Sequence, residues 1–361
     1  MKTSYKTFFL LLLLPGIALA TNGPLNGKYT KEKKIERQFS VNSDALLHVS
    51  NSYGNVDITT WRENRIEIQV TITTNGNNEE EVQRRLDEIN VEFSDSKSLV
   101  TAKTIFKKRQ TNWSFWGTKD SNVNMKINYL IKMPVKNSVD LSNNYGAISL
   151  NKLEGNSKIS CDYGKLILGE LLGDTNDLRF DYTNNSTISV LNNGIIHADY
   201  SGFVVDKATR VTLNGDYTKS EFSEIENLNF DCDYGKVTVG KANEIVGKGS
   251  YVSKDIGTIF KKIDLKTSYG KININRIAKG TSSVIINSHY TSINLGIDAD
   301  TRFDFIANLS YANLKGKELL NFTVQNEQGT KKEYVGSYGS KNSGNQINIS
   351  SGYGGVTISK N

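Results

Sequence analysis

Proline is nearly missing from this chain. Three occur in 361 residues, at positions 15, 24 and 134. Proline cannot donate to a β-ladder, so a long stretch without it suits strands inside a sheet. Cysteine is as scarce, with only Cys161 and Cys232, which excludes a disulfide-dense scaffold. The three histidines, His48, His197 and His289, have no metal-ligand spacing. No phosphate loop, nucleophile elbow or Cys–His arrangement appears. The sequence therefore offers no catalytic residue, cofactor or metal site, and an enzyme is not expected. Long apolar runs are absent except at residues 8–14, which is too short to span a bilayer. The formal charge is only +6, which gives no reason to expect a nucleic-acid partner.

The apolar run belongs to a leader. Lys2 and Lys6 precede it, and Ala18-Leu19-Ala20 is a small-x-small cleavage site. Residues 1–20 thus read as a secretory signal. No cysteine follows the cleavage site, so a lipid anchor is not indicated. The expected product is an exported chain with no transmembrane segment.

What the sequence does have is tyrosine at near-constant intervals. Tyr145, Tyr163, Tyr182, Tyr200, Tyr217, Tyr234, Tyr251, Tyr269, Tyr290 and Tyr311 are each followed by a small residue or, once, by Val252. Tyr338 and Tyr353 extend the series. Aliphatic pairs often follow three and five residues later, as at Ile148 and Leu150 or Val237 and Val239. Short alternating runs bounded by Gly, Asn, Asp and Ser read as strands with one buried face. A fixed period of this size marks a solenoid. The expected fold is all-β, a single-chain parallel β-helix of about 17–21 residues per turn. The tyrosines would stack along one corner, and the small residue after each would supply the positive φ of a tight turn. Stacking serves structure, and an aromatic stripe for sugar rings is the functional alternative. Cys161 and Cys232 fall four turns apart, roughly 19 Å, so free thiols are expected rather than a disulfide.

Residues 21–136 differ from 137–361. They open with a basic lead at 28–37 and hold an early copy of the motif at 51–58. They also hold one convincing helix at 78–90, with Asn78 as cap and Val82, Leu86 and Ile89 on one face. This region reads as a β-rich N-terminal cap over the edge of the rod. At the other end, residues 315–337 break the period and suggest a projecting hairpin. The last turn, around Tyr353, could then be an open edge.

The start Phe39-x-Val41, Leu47-x-Val49-x-Asn51-x-x-Gly54-x-Val56-x-Ile58, and the closing Ile347-x-Ile349 and Gly355-Val356-x-Ile358, carry a resemblance. The chain is similar to the bacterial "putative adhesin" β-helix proteins of unknown function. The resemblance implies a bacterial envelope or surface location, in the periplasm or on the cell surface. It supplies no catalytic residues.

Two constellations remain. Asp162, Asp181, Asp199, Asp216 and Asp233 stand directly before five consecutive tyrosines. Stacked about 4.8 Å apart they would repel. Lys165, Lys219 and Lys236 are placed to pair with them, and bound Ca²⁺ is the other solution. The second is Lys107-Lys108-Arg109, followed by Trp113, Phe115 and Trp116. Aromatics flanked by basic residues suit contact with a glycan or a membrane surface, and packing of the head on the rod is the alternative. The functional expectation is a non-enzymatic interaction protein, an adhesin being one form of it, with a glycan or a protein of the cell envelope as partner. A periplasmic envelope-stress or signalling component is the second reading. A carbohydrate-active β-helix enzyme is the third.

Overall fold

A computed structural model describes residues 26–107 and 123–361; the expected leader lies outside them. Those residues form an all-β structure with one α-helix, Glu79–Glu88, and a short 3-10 turn, Lys317–Leu319. The strands join in one large, mostly parallel sheet. Its register follows the tyrosine period. Phe222 pairs with Val239, and Val239 with Ile256, each 17 residues on. Side chains at one register position therefore form a column. One column runs Leu141, Ile159, Leu178, Ile196, Leu213, Phe230. It continues through Gly247, Leu265 and Ile286. Every side chain in it is almost fully buried. Each such aliphatic contributes roughly 1.5–3 kcal/mol by leaving water. At Gly247 a Cβ would lie 2.1 Å from the Phe230 ring, which fills the space a side chain would need.

The pattern begins early. Leu46–Ser52 and Val56–Trp61 pair in parallel with Ser138–Asn144 and Ala147–Leu153, so residues 46–61 make a rung of the same kind. The basic lead at 28–37 lies almost wholly within the strand Tyr29–Ser40. That strand pairs antiparallel with Arg65–Gly76, which pairs with Asn124–Pro134. In the helix, the Asn78 side chain accepts from the Glu81 N–H at 3.1 Å, and Val82 and Leu86 are buried. Ile89 is not on the helix face. It is the extended C-cap residue and opens the strand Ile89–Asp95.

The C-terminal end departs from chain order. The strands Gln346–Gly352 and Val356–Lys360 pair on one side with Ser283–Ile297. On the other side they pair with Phe303–Ser310 and Leu314–Lys315. The last turn is therefore interior, not the open edge suggested by its place in the sequence. The hairpin of Asn321–Gln328 and Lys331–Tyr338 does not project either. Lys331–Tyr338 pairs antiparallel with Phe303–Ser310 and covers an edge that would otherwise invite pairing.

The inward position two residues before each ladder tyrosine is polar near both ends. Asn51 donates to Asn143 Oδ1 and to the Ile127 carbonyl, and Asn143 donates to the Gly54 carbonyl. Thr104 joins by donating to Asn51 Oδ1. At the far end, Ser288 donates to Ser351 Oγ at 3.0 Å. Between them lie Cys161 and Cys232, both free and buried. Burial pushes each thiol up to about 12.

Candidate functional site: an exposed tyrosine ladder

At each ladder position the extended chain bends at a single residue, inside the strands Val252–Ile277 and Ser283–Ile297 as well as between strands. The left-handed region does this, and glycine is its usual occupant. Here the tyrosine itself adopts it. Twelve tyrosines, Tyr53 to Tyr311 and Tyr353, have φ between 48 and 63°. The small residue after them is needed for another reason. A Cβ at Gly164 would sit 2.0 Å from the Gly146 carbonyl of the neighbouring rung, and one at Gly235 would sit 2.1 Å from that of Thr218. Where Thr or Ser stands instead, its hydroxyl turns contact into hydrogen bonding. Thr218 Oγ1 donates to the Ala198 carbonyl at 2.7 Å.

The rings form one continuous stack. It starts at Tyr53 on Tyr145, with centroids 5.3 Å apart, and passes through Tyr200 on Tyr217 at 4.7 Å. Neighbouring planes lie within 11° of parallel. The stack ends Tyr290, Tyr353, Tyr311, which repeats the interleaved strand order. Each ring remains exposed, from 40% at Tyr53 to 57% at Tyr311. The result is a stripe roughly 50 Å long, one ring per strand spacing. Tyr338, counted in the series from its Tyr-Gly motif, is not part of it. There the positive φ falls on Gly339, at 71°, and the ring stacks on Phe303 instead.

The aspartates beside the ladder are held by backbone, not by lysine. Asp199 Oδ1 accepts the Asp216 N–H at 2.8 Å, Asp216 accepts that of Asp233, and Asp233 accepts that of Ser250. Each N–H offers partial positive charge to the carboxylate one rung away. Among the described residues Lys236 pairs with Asp255 instead, at 2.7 Å, and Lys165 and Lys219 form no ion pair. No group of three or more His, Cys, Asp or Glu among them is arranged to hold a metal ion.

Of the contact patch expected from sequence, Lys108, Arg109, Trp113, Phe115 and Trp116 lie outside the described residues. Lys107 lies within them. It is exposed and donates its N–H to the Glu88 carbonyl. One charged group was missed. Lys254 is buried in the core, donating to Thr267 Oγ1 at 2.6 Å and to the Val252 carbonyl. Burial lowers its pKa to about 8. Its spacing three residues after Tyr251 marks a core position, but the residue type gave no sign of burial.

No family model matches the chain, and no curated protein does. Solved structures are similar at low identity. A "putative adhesin" from Parabacteroides distasonis is 10% identical, with 92% of this chain and 98% of that one covered and a TM-score of 0.33. A "putative adhesin" from Parabacteroides merdae is 10% identical, covering 91% and 96%, with a TM-score of 0.33. A "putative lipid binding protein" from Parabacteroides distasonis is 11% identical, covering 90% and 96%, again at 0.33. Among the described residues no helix is long and apolar enough to cross a membrane.

Proposed function

We propose that this chain is an exported, non-enzymatic interaction protein of the bacterial envelope or cell surface, an adhesin in type, and that the tyrosine ladder is its contact surface. In this reading the stacked parallel strands are a β-helical solenoid carrying a β-rich head. The recurrent register of 17 to 21 residues and the continuous inward column support that architecture.

The observation that carries the functional reading is the left-handed tyrosine. A non-glycine residue in this region costs about 1–2 kcal/mol. A stacked aromatic pair returns about 0.5–1.5 kcal/mol beyond its burial. The two nearly cancel, and the remaining gain is the burial of about half of each ring; the other half stays in solvent at all twelve corners. Recurrent strain on an exposed side chain points to use. A row of part-open ring faces and phenol hydroxyls at one spacing suits a glycan chain, whose sugars carry both C–H faces and hydroxyls. Tyrosine is also enriched in protein interfaces, which keeps a protein partner in the envelope as the second reading. A sugar-cleaving activity would need converging acids across a cleft. The aspartates here run along the rod, each bonded to the backbone of the next rung.

The test replaces Tyr200, Tyr217 and Tyr234 together with glycine, which accepts the same φ without strain. The melting temperature should move by only a few degrees, while binding to the neutral glycans of an array, or to an envelope partner, should be lost. Neutral-glycan or partner binding that survives the triple replacement would refute the ladder as the contact surface.

A further inference from the structure

We propose that a second site, a polar cleft near the C-terminal end, binds an acidic saccharide. Three loops distant in sequence form it, at 279–280, 299–302 and 338–345. Its volume is about 910 Å³, which lies within the usual range for a small-molecule site. The loop 338–345 is anchored to the sheet. Ser343 Oγ and Asn345 Nδ2 both donate to the Arg302 carbonyl, and the Asn342 N–H donates to Asp304 at 3.0 Å.

Charge gives the ligand its sign. Lys279 and Arg302 line the cleft, and neither forms an ion pair among the described residues. The nearby acids are mostly engaged. Asp298 is held by Arg276 through contacts of 2.8, 3.0 and 2.8 Å, and Asp304 accepts from the Asn342 backbone. Asp300 is the one acid in the lining. The cleft therefore carries net positive charge, with an arginine fork suited to a carboxylate.

Tyr338 gives the ligand its shape. Its ring is backed by Phe303 at 5.4 Å and 8°, a rigid aromatic platform at the cleft wall. Its motif is the one Tyr-Gly copy that leaves the ladder. Here the positive φ falls one residue later, on Gly339. An aromatic platform, two free cations and the Ser340 hydroxyl together match a sugar ring bearing a carboxylate. A bare inorganic anion would leave most of the volume and the ring unused.

This site does not depend on the ladder. The test titrates the full exported chain with trigalacturonate, with a neutral galactose trisaccharide and with inorganic phosphate, by calorimetry at low and moderate salt. Trigalacturonate alone should bind, several-fold more weakly at the higher salt. Arg302→Gln should weaken it tenfold or more and Tyr338→Ala by a similar factor, while the triple glycine ladder variant binds as the parent does. Arg302 and Tyr338 variants must keep the parent melting temperature within a few degrees; Lys279→Gln, on an exposed turn, serves as the second cation variant. Equal affinity for the neutral sugar, phosphate binding as tight as the uronate, or indifference to both Arg302→Gln and Lys279→Gln would each overturn the proposal, as would the absence of uronate binding.

Discussion

The two ends of the sheet solve one problem in opposite ways. A stack of parallel strands exposes unpaired backbone at each end, and such edges template aggregation. The head end meets this locally. Its outer strand Tyr29–Ser40 carries Lys31, Glu32, Lys33, Lys34, Glu36 and Arg37 among twelve residues, a charge density that deters another strand. The tail end meets it through chain order. The final strands return into the stack between Ser283–Ile297 and Phe303–Ser310, and a hairpin with a bulge between Phe322 and Val324 lies outermost. Head protection is thus written into side chains, and tail protection into topology. Damage to the first should be gradual, and damage to the second abrupt.

The largest effect should follow from removing residues 346–361. That deletion leaves Phe303–Ser310 with only its hairpin partner and bares the side of Ser283–Ile297. Hydrogen exchange should show residues 298–345 losing protection together, while 29–107 and 123–277 keep most of theirs. A uniform loss along the chain, or none, would contradict the contrast between the ends.

A ruler for the region between the ends is Lys254. Its pKa falls from 10.5 to about 8, so between those values the unfolded chain binds more protons than the folded one. Stability due to this group therefore rises with pH from about 8 to 10.5, and the full cost, roughly 3 kcal/mol, is present below pH 8. Cys232 and Asp233 oppose the shift by favouring its charged form. Replacing Lys254 with Met should raise stability at pH 7 by up to about that amount. The gain over the parent should shrink as pH climbs to 10. A gain that does not vary with pH would mean that packing, not charge, is responsible.

The smallest effects compare equivalent inward positions. Asn143→Ala removes both the acceptor of Asn51 and the donor to the Gly54 carbonyl, and should cost about 2–3 kcal/mol. Ser351→Ala removes the acceptor of Ser288 and a bond to the Gly354 carbonyl, and should cost about 1 kcal/mol. Denaturant unfolding measures both. Equal costs would mean the head network adds nothing beyond a single hydroxyl pair.

Local features of this fold were legible in the sequence, and order in space was not. The Asn78 cap, the free cysteines and the stacking tyrosines each depend on spacing within a turn or between consecutive turns. The place of Tyr353 depends on which strand edge is open when the chain arrives, which no spacing encodes. The Tyr338 motif matched the ladder in letters, yet Gly339 could take the positive φ and did. The cleft escaped notice because Lys279, Arg302 and Tyr338 meet only once three rungs are aligned. The aspartate ladder was visible, but its partners are backbone N–H groups, which every residue has and no sequence highlights.

The interleaved last turn also sets a clock. A chain made from its N-terminus presents residues 303–338 before 346–360 exist outside the synthetic machinery. Domains generally begin folding in that order, at synthesis rates of about 5–20 residues per second. Rungs up to 297 can settle one upon another as they emerge, but the strand Phe303–Ser310 and its hairpin have no final seat until residues 346–360 arrive to lie beneath them. They must wait, or dock on Ser283–Ile297 in the wrong place and be displaced. Final seating of residues 303–338 is therefore a late event, gated by the emergence of 346–360.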